Sequence, residues 1–251
     1  MRYFIDLSYN GRAYHGWQIQ PDVNTVQAEL NHALSTVLRI PLECMGAGRT
    51  DTGVHAEQMV AHFDIDKLID VKDLVYKLNV LLPKDIHLNS IKEVHPEIHA
   101  RFEAISRTYV YKISRTKNAF KYKNEHTYTL PLDVDLMNKA AKALFEYTDF
   151  QCFSKVKTEV KTYDCTIKEA HWELHKNSLH FTIKADRFLR NMVRAIVGKL
   201  IEVGAKKRTL EEFHEIISSK NRSNAGTSAP AHGLYLINIE YPKSIYVQKE
   251  A

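Results

Sequence analysis

The hydrophobic residues of this chain follow two different periods, and the order in which these periods alternate limits the fold more than any other feature. Residues 2–9 alternate between apolar and polar side chains, as a half-buried strand does, and residues 57–65 do the same. Between these two segments, residues 25–39 carry apolar side chains at helical spacing behind a polar cap at Asn24 or Thr25. This mixture predicts an α+β fold.

The same kinds of element recur along the whole chain. Further predicted helices lie near residues 71–81, 134–147, 188–203 and 210–218, and further strands near residues 42–45, 86–94, 104–115, 161–176, 178–185 and 234–241. No low-complexity segment divides the sequence. We therefore predict two comparable halves, residues 1–104 and residues 105–251.

Composition indicates a folded protein from a reducing compartment. The 251 residues are 44% hydrophobic and 26% charged, and the net charge of +5 is compatible with a nucleic-acid partner. Cys44, Cys152 and Cys165 are too few and too scattered for a disulfide framework or a Cys-x-x-Cys metal site. No run approaches the roughly 20 apolar residues of a membrane span. We expect a soluble cytoplasmic protein.

A glycine-rich turn at residues 46–56, Gly-Ala-Gly-Arg-Thr-Asp-Thr-Gly-Val-His-Ala, has the composition of a functional site. Its three glycines favour positive φ angles and close approach to a ligand. Arg49, Asp51 and His55 add a cation, a carboxylate and a titratable ring. The same residues also fit an ordinary loop that joins two strands.

Two other motifs share letters with this turn. It begins like a dinucleotide-binding fingerprint, but Asp51 stands at the third glycine position and a strand follows instead of a helix. Residues 51–53 spell the Asp-Thr-Gly of aspartic proteases, which need two carboxylates that share a proton. The chain has no second Asp-Thr-Gly, so only a dimer could supply the other carboxylate. Both motifs therefore fit the turn poorly.

Three arginines lie at the start of the predicted helix 188–203. Arg187, Arg190 and Arg194 are spaced by three and four residues beside an apolar stripe, so we predict that they form one basic strip. A partly buried guanidinium favours a carboxylate partner. The alternative is a set of surface pairs with acids such as Asp186.

Aromatic and histidine residues suggest two further kinds of site. Tyr109 and Tyr111 alternate in a predicted strand that also carries Arg107, which suits a face that holds a flat base. The histidine pairs within residues 95–99 and 171–175 imitate metal sites, but neither has the spacing of a His-Glu-x-x-His helix. We therefore predict no metal.

The turn at residues 46–56 resembles the signature of the tRNA pseudouridine synthase A (TruA) family. The resemblance extends along almost the whole chain and in the family's order. Its other matches are residues 2–11, 15–18, 107–111, 188–194 and 229–236. The family resemblance implies two similar α/β halves that share a continuous, mostly antiparallel sheet with a central active-site cleft.

The resemblance also implies an activity. Members isomerise uridine to pseudouridine in the anticodon stem and loop of tRNA, at about positions 38–40, as homodimers in which one tRNA contacts both subunits. The reaction needs no redox change, hydrolysis or energy input, in agreement with the absence of a cofactor motif in the sequence. We expect no cofactor.

The resemblance implies roles for individual residues of this chain. Asp51 would act as the nucleophile or stabilise positive charge at C1′, and Arg194 would pair with it and keep it ionised. Tyr109 would lie against the target base as a stacking platform and a candidate general acid or base. Arg49 would fill the stack that a flipped uridine leaves. Further substrate contacts are expected from His55 and Arg190.

Two other functional classes remain open from the residues alone. In an RNA-binding protein without chemistry, the Asp51 turn would be only a rigid loop. A hydrolytic glycosidase would need a second carboxylate paired with Asp51, and the motif contains none.

Overall fold

The structure is a computed structural model, and it describes residues 1–155 and 161–248. The chain forms two compact units. The first comprises Met1–Ile105 together with the chain from Leu236 onward, and the second is Ser106–Tyr235. The predicted division at residues 104 and 105 lies beside this boundary, but the last part of the chain groups with the first unit instead of the second.

The described residues form strands and helices in both units. The strands are β1 (Arg2–Tyr9), β2 (Met45–Gly46), β3 (His55–Asp64), β4 (Ile86–Val94), β5 (Ser106–Ser114), β6 (His126–Thr127), β7 (Ile167–His175), β8 (Ser178–Ala185) and β9 (Leu234–Glu240). The α-helices are α1 (Val26–Leu38), α2 (Val71–Leu81), α3 (Val134–Ala143), α4 (Met192–Gly204) and α5 (Leu210–Ser218). The predicted α+β class is confirmed.

In the first unit, β1 lies between β3 and β4 and is antiparallel to both. Ile5 is opposite Ala61 on one side and Ile91 on the other, and all three are buried. Helix α1 begins where the Thr25 side chain accepts a hydrogen bond from the Ala28 N–H, as an N-cap does. The core of this unit therefore lies between the sheet and the apolar faces of α1 and α2.

In the second unit, β8 lies between β5 and β7 and is again antiparallel to both. Phe181 of β8 is opposite Tyr111 of β5 and Trp172 of β7, and all three rings are buried. Strand β6 runs parallel to β5. Among the described residues, no helix has the length and apolar character needed to cross a membrane.

Both units use an asparagine on a helix to bind the backbone of a strand. In the first unit, the Asn79 amide donates to the Leu88 carbonyl (2.9 Å) and its oxygen accepts from the Leu88 N–H (2.8 Å). In the second, Asn138 makes the same pair of bonds with Trp172, at 3.1 and 2.7 Å. This shared arrangement connects α2 to β4 and α3 to β7.

Four predicted elements differ from the structure. The strand predicted over residues 161–176 begins only at Ile167, and the helix predicted over residues 134–147 ends at Ala143. The other two differ for physical reasons that the contacts show. Residues 42–44 are not a strand, because the N–H groups of Leu42 and Cys44 donate to side chains of α1 instead of to a neighbouring strand. The helix predicted from residue 188 begins only at Met192, because Asn191 adopts a left-handed conformation with φ of 66°. By contrast, α2, β4, β8 and α5 match their predicted bounds.

Candidate active site

The Asp51 turn in the first unit is a closed β-turn with a half-buried carboxylate-bearing residue at its start. The Val54 N–H donates to the Asp51 carbonyl at 3.1 Å. Gly53, at the third position, has φ of 78°, the conformation that a type II turn requires there. Of the three glycines predicted to need unusual backbone freedom, only Gly53 has a positive φ.

The segment of residues 9–17 supports this turn through three hydrogen bonds. The Tyr9 hydroxyl and Thr50 Oγ1 are 2.9 Å apart, the Trp17 N–H donates to the Thr50 carbonyl at 3.4 Å, and the Gly53 N–H donates to the Tyr14 carbonyl at 3.3 Å. Gly16 is required by this contact, because a Cβ there would lie 2.2 Å from the Thr50 oxygen. The backbone on both sides of Asp51 is thus fixed before any ligand binds.

The Trp17 side chain also supports this turn by packing on Gly46. Its indole covers Gly46, where an added Cβ would lie 2.3 Å from Nε1. Arg49, in contrast, is exposed at the edge of the turn. Sequence reasoning predicted a site on this turn but did not find the contacts of Tyr9, Tyr14 and Trp17, because no local pattern predicts which distant segment a loop packs on.

His55 is part of the scaffold of the turn. It is only 2% exposed, and its Nδ1 accepts a hydrogen bond from the Gly11 N–H at 3.2 Å. Nδ1 needs a lone pair to accept this bond, so the imidazole is neutral and carries its proton on Nε2. This bond joins β3 to the segment that supports the turn. The predicted contact of His55 with substrate stays a prediction.

In the second unit, Arg194 is half-buried in the first turn of α4, and its main-chain and side-chain groups both bind one residue. Its Nε donates to the Ala229 carbonyl at 2.8 Å, while the Ala229 N–H donates to the Arg194 carbonyl at 2.9 Å. The bond through Nε fixes the plane of the guanidinium relative to Ala229. The orientation of Arg194 therefore depends on the segment that contains Ala229.

That segment, residues 226–233, is called the strap here. The Tyr111 hydroxyl donates to the Pro230 carbonyl at 2.9 Å, and Asn191 Nδ2 donates to Ser228 Oγ at 2.6 Å. The strap also passes very close to α4, because a Cβ added to Gly198 would lie 2.6 Å from the Thr227 oxygen. These contacts fix the Ala229 carbonyl that positions Arg194.

Tyr109 and Tyr111 have different environments, although they share one side of β5. Tyr109 is half-buried and meets Phe188 edge to face, with ring centroids 5.2 Å apart. Tyr111 is fully buried, and burial raises the pKa of its phenol. The predicted phenolic face is therefore wrong for Tyr111, which is a core residue that binds the strap. Tyr109 keeps the partial exposure that a stacking platform needs.

The predicted basic strip on one helix face is wrong. Arg187 and Arg190 precede α4, since the helix begins at Met192. The Arg187 guanidinium donates to Thr162 Oγ1 at 3.3 Å, and its N–H donates to Asp186 Oδ1 at 2.7 Å. Arg190 is exposed, and its carbonyl accepts from the Lys155 N–H at 3.0 Å. Only Arg194 lies on the helix, beside the apolar stripe that the sequence predicted.

Comparisons with known proteins identify the family to which this sequence is similar. A family model described as tRNA pseudouridine synthase matches residues 7–103 and 140–242. The tRNA pseudouridine synthase A of Bacteroides thetaiotaomicron is 51% identical over 251 residues, which cover 99% of this chain and 93% of the relative.

Two further relatives carry the same name. The protein of the same name from Parabacteroides distasonis is 51% identical, with 98% of each chain covered. That from Bacillus licheniformis is 39% identical, with 96% of this chain and 99% of the relative covered. A match of this extent, together with the supported aspartate turn, shows that the chain belongs to the tRNA pseudouridine synthase family.

Proposed function

We propose that this chain isomerises uridine to pseudouridine in tRNA and that Asp51 is its catalytic carboxylate. The observation that carries the proposal is the Asp51 turn, in which hydrogen bonds on both sides hold a half-buried acidic residue in a fixed conformation. A carboxylate that acts on one carbon atom must be held in the right position before the reaction begins. An ordinary connecting loop needs no comparable support.

The proposed reaction is balanced without any co-reactant. The bond between N1 and C1′ of the uridine breaks, the uracil turns, and a bond forms between C5 and C1′. The proton leaves C5, and N1 gains one. Asp51 would attack as a nucleophile or stabilise the positive charge that develops at C1′, as a carboxylate does in retaining glycosidases.

Arg194 and Tyr109 are proposed as the second part of the site. Arg194, oriented by Ala229, would pair with the Asp51 carboxylate and keep it ionised. Tyr109 would stack on the uracil, which must stay in place while it is detached from the ribose. The hydroxyl of Tyr109 would also be in reach of the ring as a proton donor or acceptor.

Arg49 is proposed to hold the target nucleotide outside its helix. A uridine in a stem must be flipped out at a cost of a few kcal/mol, and a planar guanidinium can occupy the vacated stack. Arg49 is exposed at the edge of the turn, two residues before Asp51, which suits this role. Arg190 would add contacts to the nucleotide, and His55, which is 2% exposed, would serve the substrate site through its bond to Gly11.

Finer features of the substrate and assembly are also proposed. From the family resemblance we infer that the target is the anticodon stem and loop, at about positions 38–40, where the uridine would be flipped out of its stack. We also infer a homodimer and a cytoplasmic location. Mass measurement in solution tests the homodimer. Pseudouridine mapping in transcripts that lack one uridine at a time tests the target.

The decisive experiment compares Asp51→Asn with the wild type in release of tritium from C5-labelled uridine in tRNA. The amide keeps the size of the carboxylate but removes its charge, so tritium release should fall to background while tRNA binding persists through phosphate contacts. An RNA-binding protein without chemistry would release no tritium in either form. Tritium release by Asp51→Asn at the wild-type rate would exclude Asp51 as the catalytic residue.

Arg49→Ala separates base flipping from simple binding. If Arg49 holds the flipped state, its loss should lower the single-turnover rate much more than tRNA affinity, because one phosphate contact among many is a small loss. A variant with a normal single-turnover rate but weaker tRNA binding would assign Arg49 to the phosphate backbone instead.

A further inference from the structure

Residues 115–125 of the second unit form a loop that leaves β5 and returns beside it as β6. Ile113 and Ser114 at the end of β5 are opposite His126 and Thr127 of β6. The Tyr128 N–H then donates to the Ser114 carbonyl at 3.0 Å, so the two ends of the loop are close together. A loop with joined ends is a compact unit on the surface of a protein.

A buried carboxylate fixes the base of this loop. Glu125 is 9% exposed, accepts a hydrogen bond from Ser178 Oγ at 2.7 Å and pairs with Lys121 Nζ at 3.0 Å. Lys121 also donates to Ser178 Oγ at 2.9 Å. Its charge is therefore used within the protein, and the loop is tied to the first residue of β8.

The tip of the loop is held by Asn118. Its side-chain oxygen accepts from the Phe120 N–H at 2.9 Å, and its carbonyl accepts from the Tyr122 N–H at 3.1 Å. Phe120 nevertheless points into solvent, with 94% of its surface exposed. Burying a phenylalanine side chain normally stabilises a fold by about 1.5–3 kcal/mol. Phe120 does not contribute this energy, and its ring is open to contact with a partner.

The charge around Phe120 identifies the kind of partner. Residues 115–124 contain one arginine and three lysines and neither aspartate nor glutamate. Lys117 and Lys123 are exposed, and Lys123 Nζ lies 5.1 Å from the centre of the Tyr122 ring. Exposed aromatic rings alternating with lysines suit a single-stranded nucleic acid, whose bases stack on the rings while its phosphates attract the cations.

We propose that the loop of residues 115–125 docks an unpaired segment of the RNA substrate, with a base stacked on Phe120 and phosphates bound by Lys117 and Lys123. The identity of the RNA rests on the proposed function, whereas the stacking contact does not. The contact concerns affinity, and the chemistry at Asp51 is separate from it.

Tryptophan fluorescence tests the stacking contact directly. The chain has two tryptophans, Trp17 and Trp172, and both are buried. In Phe120→Trp a new exposed indole should be quenched when unmodified tRNA transcript is added, because the base lies on its face. Tyr76→Trp is the matched control, since Tyr76 is 70% exposed on α2, and its fluorescence should not change. Absence of quenching in Phe120→Trp at saturating tRNA would overturn the proposal, as would quenching by added protein without RNA, which would indicate self-association.

Affinity measurements test the two parts of the surface separately. Phe120→Ala should weaken binding of the transcript about tenfold, the loss expected for one stacked base. Lys117→Ala combined with Lys123→Ala should reduce the slope of log affinity against log salt by roughly 1.5. Tyr76→Ala and Lys72→Ala on α2 serve as controls with wild-type values. Loop variants with the affinity and salt slope of the wild type would refute the docking surface.

Turnover then separates this inference from the proposed function. If both hold, Phe120→Ala should raise KM about tenfold and leave kcat unchanged at saturating tRNA. If the wild type forms no pseudouridine, the proposed function is wrong, while quenching and affinity still decide the role of the loop. A lower kcat with unchanged KM would count against docking.

Discussion

At the residue scale, two histidines of β3 carry out similar tasks. His55 accepts the Gly11 N–H through Nδ1, and His62 accepts the Ala100 N–H through the same atom at 3.2 Å. Both rings are buried, so each is used as a neutral acceptor for a backbone group that would otherwise lack one. Titratable side chains near a site are thus part of its scaffold as well as candidates for its chemistry.

His62 should make stability depend on pH. Burial, followed by the charges of Arg2 and His99, lowers its pKa from 6.5 to about 4. The folded state therefore binds the proton more weakly than the unfolded state does, so this stability is complete above pH 6.5 and is lost as the pH falls toward 4.

His62→Asn tests this dependence, because the asparagine oxygen can accept the Ala100 N–H but cannot titrate. Urea unfolding measures the loss in the free energy of unfolding between pH 7 and pH 4. In His62→Asn this loss should be about half of the wild-type loss or less. His87→Asn, at an exposed position of β4, should follow the wild type. Parallel curves for His62→Asn and the wild type would show that protonation of His62 does not drive the loss.

Gly198 is the residue that lets the strap approach α4. Gly198→Ala would place a methyl group 2.6 Å from the Thr227 oxygen, so the strap must shift and the bond between Arg194 Nε and Ala229 must weaken. A shift of the contact that positions a catalytic residue can lower the reaction rate by about tenfold to a hundredfold.

The measurement for Gly198→Ala is the single-turnover rate together with tRNA affinity and the urea midpoint. We expect a lower rate with affinity within about twofold of the wild type, since the phosphate contacts are unchanged. An unchanged rate in a folded variant would show that the strap does not position Arg194.

At the scale of elements, the two units use the same device to attach a helix to a strand. Asn79 and Asn138 each bind both backbone groups of one strand residue, Leu88 and Trp172. A side-chain amide can do this because it has a donor and an acceptor side by side. The asparagines therefore satisfy backbone groups that the neighbouring strands leave unpaired.

Removal of either asparagine should destabilise its own unit. Asn79→Ala and Asn138→Ala each leave a backbone N–H and a carbonyl without these partners, at a cost of about 1–3 kcal/mol in the free energy of unfolding. Urea titration measures the change, with Asn177→Ala, at an exposed position of the turn between β7 and β8, as a control. A loss equal to that of the control would mean that water replaces both bonds without cost.

At the scale of the whole molecule, the first unit is built from two separate parts of the chain. Strand β9 starts at Leu234 in the second unit, and from Leu236 onward the chain belongs to the first. There the His95 N–H donates to the Ile245 carbonyl at 3.1 Å, and Phe4 meets the Tyr241 ring edge to face. The first unit is therefore complete only after the second has been synthesised.

Ile245→Ala tests how much the first unit depends on the end of the chain. Ile245 is buried, so its truncation should lower the free energy of unfolding by about 2–5 kcal/mol. Leu174→Ala, at a side chain that is 69% exposed, is the control and should cost much less. Equal small losses in both variants would show that the first unit is stable without this contact.

Local patterns in the sequence were sufficient for much of this protein. Periodicity predicted α2, β4, β8 and α5 to the residue, because their apolar spacing agrees with the faces that they bury. The composition of residues 46–56 and their resemblance to a known signature led to Asp51 and to the family. These features depend on neighbours along the chain, which a sequence displays directly.

Other features were decided only by tertiary contacts. Side chains of α1 capture the backbone of residues 42–44, which therefore do not form the predicted strand, and a left-handed Asn191 delays α4 and removes Arg190 from the helix. The support of the Asp51 turn by Tyr9, Tyr14 and Trp17, and of Arg194 by Ala229, joins residues far apart in the chain. Sequence periodicity carries no information about such pairs, because each is fixed by the packing of whole elements and not by the spacing of its own residues.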